Sequence, residues 1–171
     1  SISIEDINER AEAVRYHLNF KKFEDNVKLI KDKADKIYLT ATLSLLSFPN
    51  FDEFINWSFN ILGKENYTTT WDYTLNHVQE GYTDLAYCSA KYVDIDNIKQ
   101  TYLDNIYNSN NVNQSKVDAF ITHMDNMFTR CGSKQVDSAF THYWETLSTR
   151  RSIDYFSFYP LDKILCSSQG N

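Results

Sequence analysis

The chain has 171 residues, of which 42% are hydrophobic and 23% are charged, and its formal net charge is −6 at pH 7. A chain of this length can bury a core without a metal ion or a dense disulfide framework, so we expect one domain over residues 1–171. No apolar stretch approaches the ~18 residues that span a bilayer, which predicts a soluble protein without a transmembrane segment. The acidic balance argues against nucleic acid as a partner, because that binding requires Lys and Arg to neutralise phosphates.

The residue types that interrupt regular structure are scarce. There are 4 Gly and 2 Pro, against 12 Tyr, 11 Phe and 3 Trp. Because Gly and Pro mark strand ends and tight turns, their scarcity favours helices joined by short polar loops. The sequence therefore predicts an all-α fold, a single-domain bundle of about six to eight helices.

Apolar residues recur at helical spacing in the first part of the chain. Ser3 is in the position of a helix cap, and the seam that follows at 3-4-3-4 spacing is Ile4, Ile7, Ala11, Val14 and Leu18. After a phase slip near Asn19 the stripe resumes as Phe20, Phe23, Val27, Ile30, Ala34, Ile37, Ala41 and Leu45, before Pro49. We therefore predict one long or kinked N-terminal helix, with two helices that meet near Asn19 as the alternative, and the phase slip favours a break there. The first seam also suits pairing between chains, so an oligomerisation or structural module is a third functional hypothesis.

Cap residues predict the remaining helices in chain order. Asn50 begins a helix over residues 51–62 that ends at Gly63, and Thr70 begins a helix that carries Trp71, Leu75, Val78 and Tyr82. Further helices are predicted after Asp94, Ser115 and Ser133. Residues 108–115 are polar and predict an exposed loop, and residues 154–166 are rich in aromatic side chains.

No motif in the sequence indicates catalysis. Glycines at positions 63, 81, 132 and 170 cannot form a phosphate-binding loop. The four histidines, His17, His77, His123 and His142, lack the Glu-x-x-His turns of di-iron bundles and the His-x-x-x-His pair of zincins. A Cys131 nucleophile with His123 or His142 is disfavoured, because nothing in the spacing aligns them. We predict that the protein is not an enzyme and has no metal site and no cofactor.

The cysteines bear on the compartment, whereas the number of Asn-x-Ser/Thr sequons is about what chance predicts and does not. Cys88, Cys131 and Cys166 match no zinc-ligand or Cys-x-x-Cys spacing. In a secreted protein two of them would pair, and we assign the disulfide to Cys88 and Cys131; in a cytoplasmic protein all three would be reduced. Asn56, Asn66 and Asn113 are glycosylation candidates. A chain that opens at Ser1 without Met is typical of a mature secreted protein, so we predict a secreted glycoprotein, with a cytoplasmic protein as the alternative.

The aromatic residues are the main candidates for a binding surface, because Trp, Tyr and Arg dominate interaction hot spots as well as cores. The candidate residues are Trp57, Trp71, Tyr143, Trp144, Arg150, Arg151, Tyr155, Phe156, Phe158 and Tyr159. The leading hypothesis is a non-enzymatic protein that binds another protein through this surface. Residues 37–129 hold four Lys against eleven Asp or Glu, which would suit a basic partner. The alternative is a carrier of a small hydrophobic, lipid-like ligand in a pocket between helices.

Overall fold

The computed structural model describes residues 1–107 and 113–158. The elements in these ranges are β1 (Ile2–Ser3), α1 (Asn8–Val14), α2 (Phe20–Lys31), β2 (Ile37–Leu43), α3 (Phe51–Leu62), β3 (Trp71–His77), α4 (Ile95–Ile106), α5 (Gln114–Phe128), α6 (Ser138–Arg151) and α7 (Tyr155–Phe158). The described part of the chain is therefore mixed α/β, with seven α-helices and a small three-stranded sheet, and the all-α prediction is wrong.

The sheet has the order β1-β2-β3 and all of its strands are parallel. β2 and β3 pair along their whole length, from Ile37 opposite Trp71 to Leu43 opposite His77. β1 adds a short pairing in which Ile2 lies opposite Leu39. Parallel strands need long crossover connections, and here the crossovers are helical: α1 and α2 join β1 to β2, and α3 joins β2 to β3.

The prediction of one long or kinked N-terminal helix is wrong, because this part of the chain forms the four separate elements β1, α1, α2 and β2. Ser3, predicted as a helix cap, lies in β1. The break near Asn19 is confirmed: Asn19 caps α2 by accepting a 2.8 Å hydrogen bond from the backbone N–H of Lys22. The buried Ile4 lies between β1 and α1, so the heptad seam does not form a continuous helix. The oligomerisation hypothesis stays a prediction.

The later helices agree better with the cap analysis. α3 covers residues 51–62 and ends at Gly63, whose φ of 92° is a conformation that favours glycine, so the predicted bounds are confirmed. The predicted cap is not, because the Asn50 side chain makes no capping hydrogen bond. Asp94 caps α4 as predicted, accepting from Asn97 N–H at 3.0 Å. The predicted helix after Thr70 is wrong, because Trp71–His77 is strand β3. Two caps were misplaced: Asn113 rather than Ser115 caps α5, and Asp137 rather than Ser133 caps α6.

An aromatic cluster forms the centre of the core where α3 packs against the sheet. Phe59 of α3 is fully buried, and its ring contacts Tyr67, Trp71, Tyr73 and Tyr102 at centroid distances of 4.9–6.2 Å. The hydroxyl groups of Tyr67 and Tyr102 are hydrogen-bonded at 3.0 Å, which satisfies two polar atoms inside this cluster.

Membrane insertion has no support from the helices. Across residues 1–107 and 113–158, none of them combines the length and the apolar character that crossing a bilayer requires. The assignment of residues 1–171 to one domain stays a prediction.

Candidate ligand-binding site at the carboxyl edge of the sheet

Buried polar residues collect just beyond the carboxyl ends of the three strands. Glu5 and Asp6 follow β1, Ser44 and Ser47 follow β2, and Asp84 lies in the segment after β3. Backbone hydrogen bonds join these segments, from Leu45 N–H to the Thr83 carbonyl at 3.1 Å and from Val78 N–H to the Leu43 carbonyl at 2.8 Å. Because the carboxyl ends of parallel strands meet at one edge, the topology gathers polar groups that are far apart in sequence.

A cleft of about 220 Å³ opens at this edge. Its polar lining from the sheet side is Glu5, Thr42, Ser44 and Thr83. Its opposite wall is supplied by α1, α6 and α7, and the residues of that wall are Ala13, Val14, Tyr143, Trp144, Leu147, Arg151 and Tyr155. The cleft, which we call the edge cleft, therefore combines hydroxyl and charged groups with aromatic surface, as ligand sites commonly do.

The two charged groups that line the edge cleft have different surroundings. Glu5 is neutralised by Arg15, whose Nε and Nη2 donate to Glu5 Oε2 at 3.1 and 2.7 Å. Arg151 donates from Nη1 to the hydroxyl of Tyr155 at 2.9 Å, and its guanidinium lies 5.3 Å from the ring centre of Tyr16. Within the described residues Arg151 has no ion pair with a carboxylate. Its positive charge is therefore held in place but left available to an anion.

Tyr155 fixes the position of Arg151. The Tyr155 ring is buried, and its hydroxyl donates to the backbone carbonyl of Ala13 at 2.9 Å while it accepts from Arg151. Both hydrogen-bonding functions of this hydroxyl are thus used within the protein. The pair orients the guanidinium before any ligand arrives, which lowers the ordering cost of binding.

Asp6 is a buried carboxylate that follows Glu5 in the chain but does not itself line the edge cleft. Its Oδ1 accepts from Ile7 N–H at 2.8 Å and from Arg10 Nε at 3.0 Å, whereas Oδ2 is buried without a hydrogen-bond partner. Burial raises the pKa of Asp6 from 3.8 to about 6, and the attraction of Arg10 offsets only part of that effect. Arg10 also donates to Glu53 at 2.6 Å, so its charge is shared between two acids. A buried carboxyl group with a perturbed pKa is a candidate for a functional role.

Four of the ten predicted binding residues line the edge cleft, namely Tyr143, Trp144, Arg151 and Tyr155. Five others lie elsewhere in the described part of the chain. Trp71 lies in the aromatic core, Trp57 is half-buried and donates to Glu24 at 3.0 Å, and Arg150 is exposed on another side of α6. Phe156 and Phe158 pack against the core, and Tyr159 lies outside the described residues.

The polar half of the edge cleft was missed by the sequence analysis. Glu5, Thr42, Ser44 and Thr83 belong to no motif. Thr42 lies near the end of β2 and the other three follow strands, so they become site candidates only when the strands are recognised. The signal was present as alternation: in residues 37–43, Ile, Leu, Ala and Leu alternate with Tyr, Thr and Thr. Recognition of β2 and β3 as parallel strands would have directed attention to the residues that follow them.

The predicted disulfide is corrected by the structure. Cys88 and Cys131 are free thiols, although they are neighbours, and Cys166 lies outside the described residues. The sequon residue Asn56 accepts a hydrogen bond from Asn105 at 2.9 Å, and Asn113 caps α5; glycosylation at Asn56, Asn66 and Asn113 stays a prediction.

Neither a cluster of metal-binding side chains in the described residues nor a similarity to known proteins indicates what the site binds. Among the residues that the structure describes, no group of three or more His, Cys, Asp and Glu side chains is arranged to hold a metal ion. Comparison of the chain with models of known protein families, with curated proteins and with solved structures gives no match. The function is therefore argued from the geometry of the edge cleft.

Proposed function

We propose that this protein binds a small anionic ligand in the edge cleft. The observation that carries the proposal is Arg151, a guanidinium oriented by Tyr155 and without a carboxylate partner in the described residues, which lines a cleft at the carboxyl edge of a parallel sheet. Ligands of open α/β sheets bind outside the carboxyl ends of the strands. A guanidinium at such a place suits a carboxylate or a phosphate, which it binds through two parallel hydrogen bonds.

The size and lining of the cleft narrow the class of ligand. Its volume of about 220 Å³ is below the ~300–1,000 Å³ of sites for drug-sized molecules, so it fits a compact molecule. Tyr143 and Leu147 provide apolar surface, while Thr42, Ser44 and Thr83 provide hydroxyl groups. A small organic acid with an apolar part and a hydroxyl or amino group matches this lining better than the purely hydrophobic ligand expected from the sequence.

Replacement of Arg151 by glutamine tests the proposal. We expect thermal-shift titration of the wild-type protein with a set of amino acids, hydroxy acids and keto acids to find at least one stabilising ligand. Ligand at a hundred times its Kd contributes about 2.7 kcal/mol to the free energy of unfolding. Arg151→Gln is expected to weaken that ligand by roughly tenfold or more, because a charge-assisted hydrogen bond is lost.

Arg150 provides the matched control for this test. It is the adjacent residue of the same helix but is exposed and does not line the edge cleft. Arg150→Gln should leave the affinity unchanged. The proposal is wrong if no acid in the set stabilises the protein, or if Arg150→Gln weakens binding as much as Arg151→Gln.

A second cleft supports the protein-binding hypothesis. It measures about 340 Å³ and lies along the outer side of α6, and its lining is Tyr82, Ala139, His142, Tyr143, Thr146, Leu147 and Arg150. The rings of Tyr82 and Tyr143 are in contact at a centroid distance of 5.1 Å and an interplanar angle of 40°, so aromatic surface is continuous across it. Aromatic side chains beside an arginine are the composition of interaction hot spots, so a protein partner is the second candidate function.

Ala139→Arg separates the two functions. Ala139 is exposed and lines only the second cleft, so an arginine side chain there fills that cleft without disturbing the core. If a protein partner uses the cleft, native mass spectrometry of protein from its natural source shows a complex that Ala139→Arg abolishes, while binding of small acids is retained. A complex unaffected by Ala139→Arg would place the partner elsewhere and contradict this second function.

Three further hypotheses stay predictions. These are the basic character of a protein partner, the secreted location and the absence of enzymatic activity. A site assembled at the edge of a parallel sheet needs no continuous sequence motif, so the lack of catalytic motifs does not by itself exclude an enzyme.

A further inference from the structure

Cys88 and Cys131 are held side by side by contacts on both flanks. Asp84, which is fully buried, accepts hydrogen bonds from Ala86 N–H at 2.9 Å, from Arg130 Nη2 at 3.3 Å and from Lys134 Nζ at 2.8 Å. The backbone N–H of Lys134 in turn donates to the Ala86 carbonyl at 3.0 Å. These hydrogen bonds and ion pairs join the segment that carries Cys88 to the turn that carries Cys131, although the two cysteines are far apart in sequence.

The two thiols differ in exposure and in reactivity. Cys88 is 1% exposed, whereas Cys131 is half-buried at the end of α5. The Cys88 thiol donates to the Ser89 carbonyl at 3.9 Å and the Cys131 thiol to the Met127 carbonyl at 3.8 Å. The interaction between the two thiols, together with burial, raises the pKa of Cys88, and the same interaction lowers the pKa of Cys131. Thiolate character together with access to solvent marks the nucleophilic cysteine of a pair, and a buried neighbouring thiol is placed to react second.

We propose that Cys88 and Cys131 are a reversible oxidation site, in which a peroxide converts the neighbouring thiols into an intramolecular disulfide. The Cys131 thiolate attacks one oxygen of hydrogen peroxide, the O–O bond breaks, and the products are Cys131 sulfenic acid and hydroxide. The Cys88 sulfur then displaces the sulfenic hydroxyl group, which forms the S–S bond, and its proton leaves with that group as water. The two thiols supply the two electrons that reduce the peroxide to two waters, and a dithiol reductant reverses the change.

The fold gives this oxidation a structural consequence. Cys88 belongs to the segment that follows β3, and Cys131 follows α5. A disulfide would add a covalent link to the ion pairs that Asp84 forms with Arg130 and Lys134. The two segments would then stay joined even when Asp84 is protonated. This inference is independent of the ligand proposed for the edge cleft, because neither cysteine lines that cleft.

The test is oxidation of the reduced, folded protein by one equivalent of hydrogen peroxide. Free thiols are then blocked with N-ethylmaleimide, and the intact mass and the linked peptides are measured. We expect the wild-type chain to lose two hydrogens, with the linkage between Cys88 and Cys131, and dithiothreitol to restore the original mass. The linkage should form roughly tenfold or more faster in the folded protein than in urea, because folding holds the thiols together.

Three variants assign the roles. Cys88→Ala keeps a small apolar side chain at a buried position, and it should accumulate Cys131 sulfenic acid that dimedone traps. Cys131→Ser should leave Cys88 unmodified, and Cys166→Ser should react as the wild type does. The proposal is overturned if the linked peptides involve Cys166, if the linkage forms no faster in the folded chain, or if Cys88→Ala and wild type give the same stable Cys131 product.

Discussion

Phe59→Ala is expected to lower the free energy of unfolding by about 4 kcal/mol, within the range of roughly 3–5 kcal/mol for deleting a buried Phe side chain. The ring is fully buried and contacts four other aromatic rings of the core, so its removal leaves a cavity that rigid neighbours cannot fill. This loss is a large part of the ~5–15 kcal/mol by which a domain is stable. Urea denaturation followed by circular dichroism measures it.

An exposed aromatic residue provides the control. Tyr107, at the end of α4, is 71% exposed, and Tyr107→Ala should change the free energy of unfolding by no more than about 0.5 kcal/mol. If both variants lose the same stability, Phe59 is not at the centre of the core. A loss confined to Phe59→Ala would confirm that α3 packs on the sheet through this cluster.

Asp6→Asn is expected to stabilise the protein relative to wild type by an amount that grows with pH. The folded-state pKa of Asp6 is about 6 and its ordinary value is 3.8, so between these values the folded state binds more protons than the unfolded state. Wild-type stability attributable to this group is fully present below pH 3.8 and is lost as pH rises through 6. Asparagine cannot ionise, so the advantage of the variant should increase by roughly 3 kcal/mol between about pH 3.5 and pH 7.

Asp25→Asn is the control variant for the direction of this pH dependence. Asp25 is exposed and paired with Lys21 at 2.6 Å, which holds the pKa of that carboxyl below its usual range. Its contribution to stability is present above the ordinary pKa and fades as pH falls, so this variant should lose a small amount of stability at neutral pH. Urea denaturation at several pH values measures both variants. Parallel stability curves for wild type and Asp6→Asn would contradict the buried state of the Asp6 carboxylate.

The Asp6 prediction also bears on function. A carboxylate that costs stability at neutral pH is one that folding alone does not require. Asp6 does not line the edge cleft, but its Oδ2 is buried without a hydrogen-bond partner among the described residues, so a role in ligand binding is a prediction to be tested. Titration of the wild-type protein and Asp6→Asn with the same small acids would show whether ligand binding changes with the protonation of this group.

Local signals in the sequence placed several helices correctly. The start of α3 before a run of apolar residues, its end at Gly63 and the Asp94 cap of α4 each depend on residues within a few positions of one another. The same is true of the break at Asn19, where the phase of the apolar stripe changes. Such features are fixed by backbone hydrogen bonds that close over a few residues, and so a single sequence is enough to predict them.

The strands were misassigned for a definite reason. Ile37 and Ala41 fit a helical stripe at a spacing of four, and they also fit the alternation of a strand, because four is a multiple of two. The scarcity of Gly and Pro excluded hairpins but not parallel strands, since helical crossovers contain no tight turns. Only the pairing of Ile37 with Trp71, across a long separation in sequence, decides between the two structures.

The sequence by itself determined the helices bounded by local caps and identified Tyr143, Trp144, Arg151 and Tyr155 as binding candidates by residue type. The tertiary structure alone decided that these residues meet Glu5 and Ser44 in one cleft, and that Cys88 lies beside Cys131. The physical reason is distance along the chain. Contacts between neighbours in sequence follow from local conformational preference, whereas a site at the carboxyl edge of a parallel sheet exists only after the distant strands have paired.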